Sequence, residues 1–459
     1  MRVNLNPSDF PNKLENILPD RFIYQHATAD DHFSRHLPFG RLKWFGRHQS
    51  GKFAGKIEVW SANISSHQIQ IGAIAMKFNQ FYSRFFCALA MCCLLTGCEV
   101  NFRSFDGYSF DFTGSKKEKH ETGKLDDGIK RIEVENRFGD LKLVPATDDE
   151  TGWSWDATCW ADSDEMAQTQ LDDMFLDIET IGETQSWKLV MPESSRDLNG
   201  VKSDLTIRVP AGLQVKLLNA HGNLEAVGID SDLTAENSHG DISLSELTGK
   251  GAVKLSHGNF TATKITDLKL TVNHGNSKIE SATGAVLFDG SHGDFVASHV
   301  DGDLTIQASH TGIEVDHLSK SVKLQTTHNS IVASELLGNV EIENSHGEIR
   351  VSDSSGNLKT TNHHGATKIA AAGESITVWS EFGRVEIAVI GYDFQTIRAE
   401  TTHSDLVLTL PESTEANLAI DISHGAEKSD LASVANSPRR ISLKNSFGDI
   451  EIKKQSAAE

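Results

Sequence analysis

The sequence predicts an all-β protein: a parallel β-solenoid (β-helix) of short two-strand coils, about 18 residues each, with one helical capping insertion near its N-terminal end. Three observations predict it. First, a Ser-His-Gly-Asp theme returns at a nearly constant step: His221, His239 and His257 lie eighteen residues apart, His274 comes one early, and His292, His310, His328, His346 and His364 resume the step before Phe382 takes the tenth place. Second, counting from each His, places three and five are mostly apolar (Ile242 and Leu244, Ile313 and Val315), as are places twelve and fourteen (Leu304 and Ile306, Val340 and Ile342). Alternation at period two is the signature of a strand with one buried face. Third, place ten is often glycine, as at Gly249, Gly284, Gly302, Gly338 and Gly356, which sets a turn between the two strands of each coil. Coils stacked at about 4.8 Å pair in parallel register, and ten of them would make a rod roughly 50 Å long.

The 459 residues carry a net charge of -21 with 38% hydrophobic residues, enough for a core and too acidic to favour nucleic acid or an anionic lipid surface. Four of the five cysteines, Cys87, Cys92, Cys93 and Cys98, fall in one apolar stretch. There a basic start at Met76-Lys77 leads into an apolar run of about eleven residues, Phe85 to Leu95, and then Thr96-Gly97-Cys98. The run is too short for a membrane span, which needs about 20 residues, and has the form of a secretory signal. Its Leu95-Thr96-Gly97-Cys98 ending resembles a bacterial lipobox, which implies a lipid on Cys98 as the membrane attachment. Residues 1–75 then stand upstream of a signal and are expected to be a non-native extension, with 76–97 the signal peptide. Removing 1–97 leaves 32 Lys/Arg against 58 Asp/Glu, and Cys159 as the one unmodified cysteine. Glu99 after Cys98 is not the aspartate that resembles an inner-membrane retention signal, so an outer-membrane lipoprotein facing the periplasm or the cell surface is expected.

Residues 98–128, polar and without apolar periodicity, are expected to form a flexible tether. Residues 129–218 hold the first strands, from Ile132 to Leu143, and a helix over about 162–178 with Asp162 or Ser163 as N-cap. A solenoid end left bare offers an unpaired edge, so this insertion is the natural cap. Residues 219–400 form the regular solenoid and 401–453 irregular terminal coils, with Asn445-Ser446-Phe447-Gly448-Asp449 closing the far end and 454–459 a tail.

The repeated Asn-Ser-x-Gly-Asp-Ile-x-Leu units at Asn237–Leu244, Asn344–Val351 and Asn445–Ile452, the helical insertion and the Val209-Pro210-Ala211-Gly212 step resemble the bacterial putative-adhesin β-repeat family, whose function is unknown. The resemblance covers about residues 130–453 and implies a solenoid on an exported or membrane-tethered protein. His in place of the usual Ser or Asn before the glycine sets this chain apart.

The nine His of the column are the main candidate residues. Stacked coils put the imidazoles about 4.8 Å apart, where neighbouring nitrogens could share Zn, Cu, Ni or Fe. A straight file gives at most two ligands per ion, and Phe138, Phe382 and Phe447 hold the His place in other coils. An inward or corner-lying structural ladder is therefore favoured over a metal or pH-sensing column, and no cofactor is expected. Trp153, Trp155 and Trp160 could stack on sugar but read as core, and Asp301-Gly302-Asp303 reads as a turn. Ser, His and Asp in every coil are scaffold, with no nucleophile elbow, so no catalytic residues are expected. These readings converge on a non-enzymatic envelope scaffold or adhesin whose rod meets a protein or polysaccharide partner, with self-association or a metal or proton response of the column as alternatives.

Overall fold

The structure, a computed structural model, describes residues 112–147, 151–191 and 198–455. Most coils contribute two strands, one on each of two parallel faces, while Val286–Val300 and Leu304–Leu318 each run through the corner as one strand and join the faces into a single sheet. Leu233–His239 pairs in register with Gln214–His221 on one side and Gly251–His257 on the other, which sets His239 between His221 and His257. The second strand of that coil, Ile242–Leu247, likewise lies between Leu224–Val227 and Phe260–Ile265. Leu233, Ala235 and Asn237 point inward from the first strand, and Ile242, Leu244 and Leu247 from the second. Repeated coil after coil, these places form one continuous core between the sheets.

Leu247 is inward although it lies three residues after Leu244, which breaks the period of two. The break is produced by Glu246, whose φ of 55° turns the chain at the second corner. Lys264, Ser281, His299, His317, Glu335 and Asp353 repeat that left-handed conformation one coil at a time. Non-glycine residues take it at a cost of about 1–2 kcal/mol, offset here by the burial of the next residue, about 1.5–3 kcal/mol for a full Leu or Val.

At the N-terminal end the first coil, Arg131–Phe138 with Leu141–Pro145, is enclosed rather than terminal. Its strands pair with Gln214–His221 and Leu224–Val227 on one side and with Thr184–Val190 and Leu198–Val209 on the other. Antiparallel strands then finish both sheets: Phe175–Ile181 on Thr184–Val190, and Gly152–Ala161 on Leu198–Val209. The outermost strand, Ser115–Gly123, lies on Gly152–Ala161 and corrects the expectation of a flexible tether through residue 128. Its residues alternate Lys and Glu or His with no apolar signal, and backbone pairing to an edge holds them there.

The capping helix spans Asp164–Asp172, shorter than the expected 162–178, with the Ser163 Oγ accepting from the Met166 amide as N-cap. It buries Ala167 and Leu171 against the end of the core. Phe175 and Ile178, in helical phase by sequence, belong instead to the edge strand, where the backbone pairs with Thr184–Val190.

The C-terminal end also departs from chain order. The last coil, Arg440–Phe447 with Ile450–Gln455, inserts between Thr396–Pro411 and the coil Asn417–Ser429. Asn417–Ser429, not the Asn445–Asp449 unit, therefore closes the far end. Both terminal coils of the chain are thus held between two others, which protects them from the fraying usual at chain ends. Among the described residues no helix is long and apolar enough to cross a membrane.

Candidate functional site

The five residues Asn-Ser-His-Gly-Asp form the first corner, and each has a separate task. Asn237 is buried, and its Nδ2 donates to the carbonyls of Gly222 at 2.8 Å and Gly240 at 3.2 Å. Asn219, Asn362 and Asn445 bind turn carbonyls in the same manner. Ser238 faces solvent. Gly240 has a φ of +117°, and a Cβ there would lie 2.2 Å from the carbonyl oxygen of Gly222, so a side chain at this position meets the backbone of the neighbouring coil. Asp241 Oδ1 accepts from the Asn259 amide of the next coil at 2.7 Å, and Asn223 Oδ1 accepts from the Asp241 amide at 3.0 Å. A file of Asx side chains thereby satisfies turn amides that neither sheet reaches.

His239 stands on the outside of this corner and is exposed. Strict alternation would have sent it inward with Asn237, but the bend at Gly240 ends the strand and carries the imidazole out. The ladder is therefore a corner feature rather than an inward one. Its rings stack from Phe138 through His221, His239, His257, His274, His292, His310, His328, His346, His364, Phe382, His403 and Phe447 to His424. Centroids are 4.5 Å apart at His310–His328 and 5.3 Å at Phe138–His221, and the His328 and His346 planes differ by only 2°. Phe447 sits between His403 and His424, the order imposed by the inserted last coil.

Parallel stacking directs the ring nitrogens side by side, not toward a common point. Among the described residues no group of three or more His, Cys, Asp or Glu is arranged to hold a metal ion. The His328 pKa is pushed below its usual value, first by partial desolvation and then by the neighbouring His310 and His346.

A second, shorter file lies at the other corner. His299 and His317 stack at 4.5 Å, in the column of left-handed residues. His317 Nδ1 lies 2.6 Å from Asp316 Oδ2 and Nε2 lies 2.7 Å from Glu335 Oε2. The hydrogen bond to Asp316 and then the charges of Glu335 and Asp316 raise its pKa. Carboxylates on both nitrogens favour imidazolium, which cannot serve as a general base. The residues line an open groove of about 370 Å³ with Asp301 and Leu337. The available signal was the recurrence of His at place seven in two successive coils.

The other candidates resolve into packing. Trp155 is fully buried and its Nε1 donates to Ser203 Oγ at 2.8 Å; Trp153 meets Trp187 edge-on, and Trp160 meets Phe112. These side chains do not share one face. Asp301 Oδ1 accepts from Ser319 Oγ, and Asp303 Oδ1 accepts from the Ser321 amide. The Cys159 thiol is buried beside Met174 Sδ, and burial pushes its pKa up to about 12. Cys98 and the signal segment lie outside the described residues.

The Toastrack DUF4097 family matches residues 129–457. No curated protein matches the chain. Similar solved structures include a putative cell adhesion protein from Clostridium sporogenes, 9% identical over 74% of this chain and 100% of its own, with a TM-score of 0.17. A putative adhesin from Bacteroides fragilis is 14% identical over 74% of this chain and 98% of its own, TM-score 0.18. One from Parabacteroides distasonis is 13% identical with the same coverage, TM-score 0.21. At these values neither fold nor function transfers.

Proposed function

This chain belongs to the Toastrack DUF4097 family, and from that premise we propose a non-enzymatic, lipid-anchored envelope protein whose solenoid offers its faces and corners to a partner. The observation that carries the reading is the complete structural use of the repeated motif. Asn237 ties turn carbonyls, Gly240 permits the close approach, Asp241 caps the next coil, and the His rings stack. Residues that could suggest a hydrolase by composition are thus spent on building the coil, leaving a long regular surface suited to contact rather than turnover.

Anchoring follows from the lipobox resemblance at Cys98. The test is membrane fractionation with a palmitate label, comparing the chain with Cys98→Ser. Label and membrane association in the parent and loss of both in the variant are expected; an unlabelled, freely soluble parent would refute the anchor.

A second reading, end-to-end association, is favoured by the terminal coil Asn417–Ser429. Leu418, Ile420 and Ile422 are only partly buried there, and past the bridge of Ala416 to Ser433 and the bonds of the Leu418 amide and carbonyl to Ser433 Oγ, no further strand among the described residues pairs with this edge. Light scattering decides it, since a concentration-independent monomer removes this reading.

A further inference from the structure

We infer that the C-terminal end of the rod is a joint between two copies of this chain, each presenting its Asn417–Ser429 coil to the same coil of the other. The inference rests on the end-to-end reading above and names which end meets which.

The edge is open over a defined stretch. The Leu418 amide and carbonyl point away from Arg440–Phe447 and are taken by Ser433 Oγ. Backbone groups alternate sides along a strand, so those of Ile420 and Ile422 point the same way, where no strand among the described residues meets them. Their side chains, with that of Leu418, pack against the core yet are only partly buried. On the second face of the same coil, Glu427–Ser429 pairs on one side with Ile450–Gln455, and no strand among the described residues lies on its other side. The end of the rod thus offers two strand edges with a half-covered apolar seam between them.

This shape selects the occupant. A single extended peptide would complete one edge and leave the other bare. An occupant that completes both must carry two strands on opposite sides of an apolar layer, about 10 Å apart. The end of a second solenoid has that form.

Of the rod's own two ends, the N-terminal one is closed. The helix Asp164–Asp172 lies over the core there, and Ala167, Leu171 and Met174 are buried beneath it. Its edge strands are charged: Ser115–Gly123 carries three Lys and two Glu, and Phe175–Ile181 exposes Asp177 and Glu179. Charges along an edge oppose strand addition. Asn417–His424 holds one carboxylate, Asp421, and no Lys or Arg. Antiparallel pairing of two such strands about Ile422 lets the two Ile422 residues exchange amide and carbonyl bonds and sets Asp421 opposite Ser423, so the carboxylates do not meet. It also leaves Ser433 on Leu418. Such a joint is isologous and closes at two copies, whereas head-to-tail contact would continue into a fibre.

Sedimentation equilibrium of the purified full chain in detergent, over about a hundredfold range of concentration, tests the joint. A monomer–dimer equilibrium with no larger species is expected. Ile420→Lys, with a native circular dichroism spectrum, should weaken the dimer at least tenfold, and Leu287→Lys, at an exposed apolar side chain in mid-rod, should leave it unchanged. With Ile420 intact, a photoreactive residue in place of the exposed Ala419 should join two copies, and one in place of the exposed Glu179 at the other end should not.

A monomer at every concentration removes the end-to-end reading and this inference with it. Oligomers beyond the dimer, or copy-to-copy products from position 179, would overturn the inference and leave end-to-end association standing in head-to-tail form. A full-strength dimer in a folded Ile420→Lys variant, or no product from position 419, would overturn it by placing the contact elsewhere. None of these outcomes bears on the fractionation test of Cys98.

Discussion

Replacing Gly258 by Ala isolates what the corner glycine contributes. Its φ is +141°, and a Cβ would lie 2.2 Å from the Gly240 carbonyl oxygen, a backbone atom fixed by the stack. Two costs add. Holding Ala in a sparsely populated backbone region costs about 1–3 kcal/mol. Forcing apart two coils that meet at backbone distance costs about 1–3 kcal/mol more, as overpacking does elsewhere. The expected loss is thus about 2–5 kcal/mol, concentrated near the Gly258 amide bond to His274 O, because a solenoid's stability is set coil by coil. Gly212 supplies the control: its φ is +79° and nothing lies within 4 Å of its Cβ position, so Ala there bears only the backbone term, about 1–2 kcal/mol. Gly258→Asn should be milder than Gly258→Ala, because Asn329 already holds this place with a φ of 132° and its Oδ1 accepts from the Ser330 amide. Thermal unfolding with hydrogen exchange at Leu255–His257 and His274 measures the effect. Equal losses for Gly212→Ala and Gly258→Ala would refute the claim that contact of the added Cβ with the next coil adds to the backbone cost.

Two further outcomes follow from the same geometry. His317, its pKa raised by Asp316 and Glu335, contributes stability that is full below its unfolded pKa and is lost as pH rises through the folded value; the melting-point gap between the parent and His317→Gln should therefore be wide at pH 6 and closed by pH 9, and a constant gap contradicts the ion-pair assignment. Asn362→Ala removes donors to the Gly347 and Gly365 carbonyls, both at 3.0 Å, and leaves those part-buried acceptors short; a loss of about 1–2 kcal/mol is expected in chemical denaturation, and no change would show that these bonds are dispensable.

The coil was legible in the sequence because in-register stacking gives every coil the same neighbours, so burial repeats at fixed places. Ile242 and Leu244 could be assigned inward, and their counterparts likewise, from the spacing of apolar residues alone, whereas the inward aim of Leu247 depends on the turn at Glu246. The roles inside the corner were less legible. Asn237 and His239 have the same parity, yet one is buried and the other exposed, since the strand leaves its straight course at the corner that Gly240, with a φ of +117°, completes. The His317 cluster needed the second corner to bring Asp316 and Glu335 to one ring.

The sequence by itself determined the repeat length, the two-strand coil, the core places and the file of rings, since all of these are periodic and local. Tertiary structure alone decided the outward aim of the ladder and the order of coils at both ends. Arg131–Pro145 and Arg440–Gln455 are each enclosed by two other coils, and Phe447 precedes His424 in the stack. The physical reason is that neighbouring coils offer nearly identical edges. Period fixes what each coil looks like, and only the long-range competition among equivalent edges fixes which coil lies next to which.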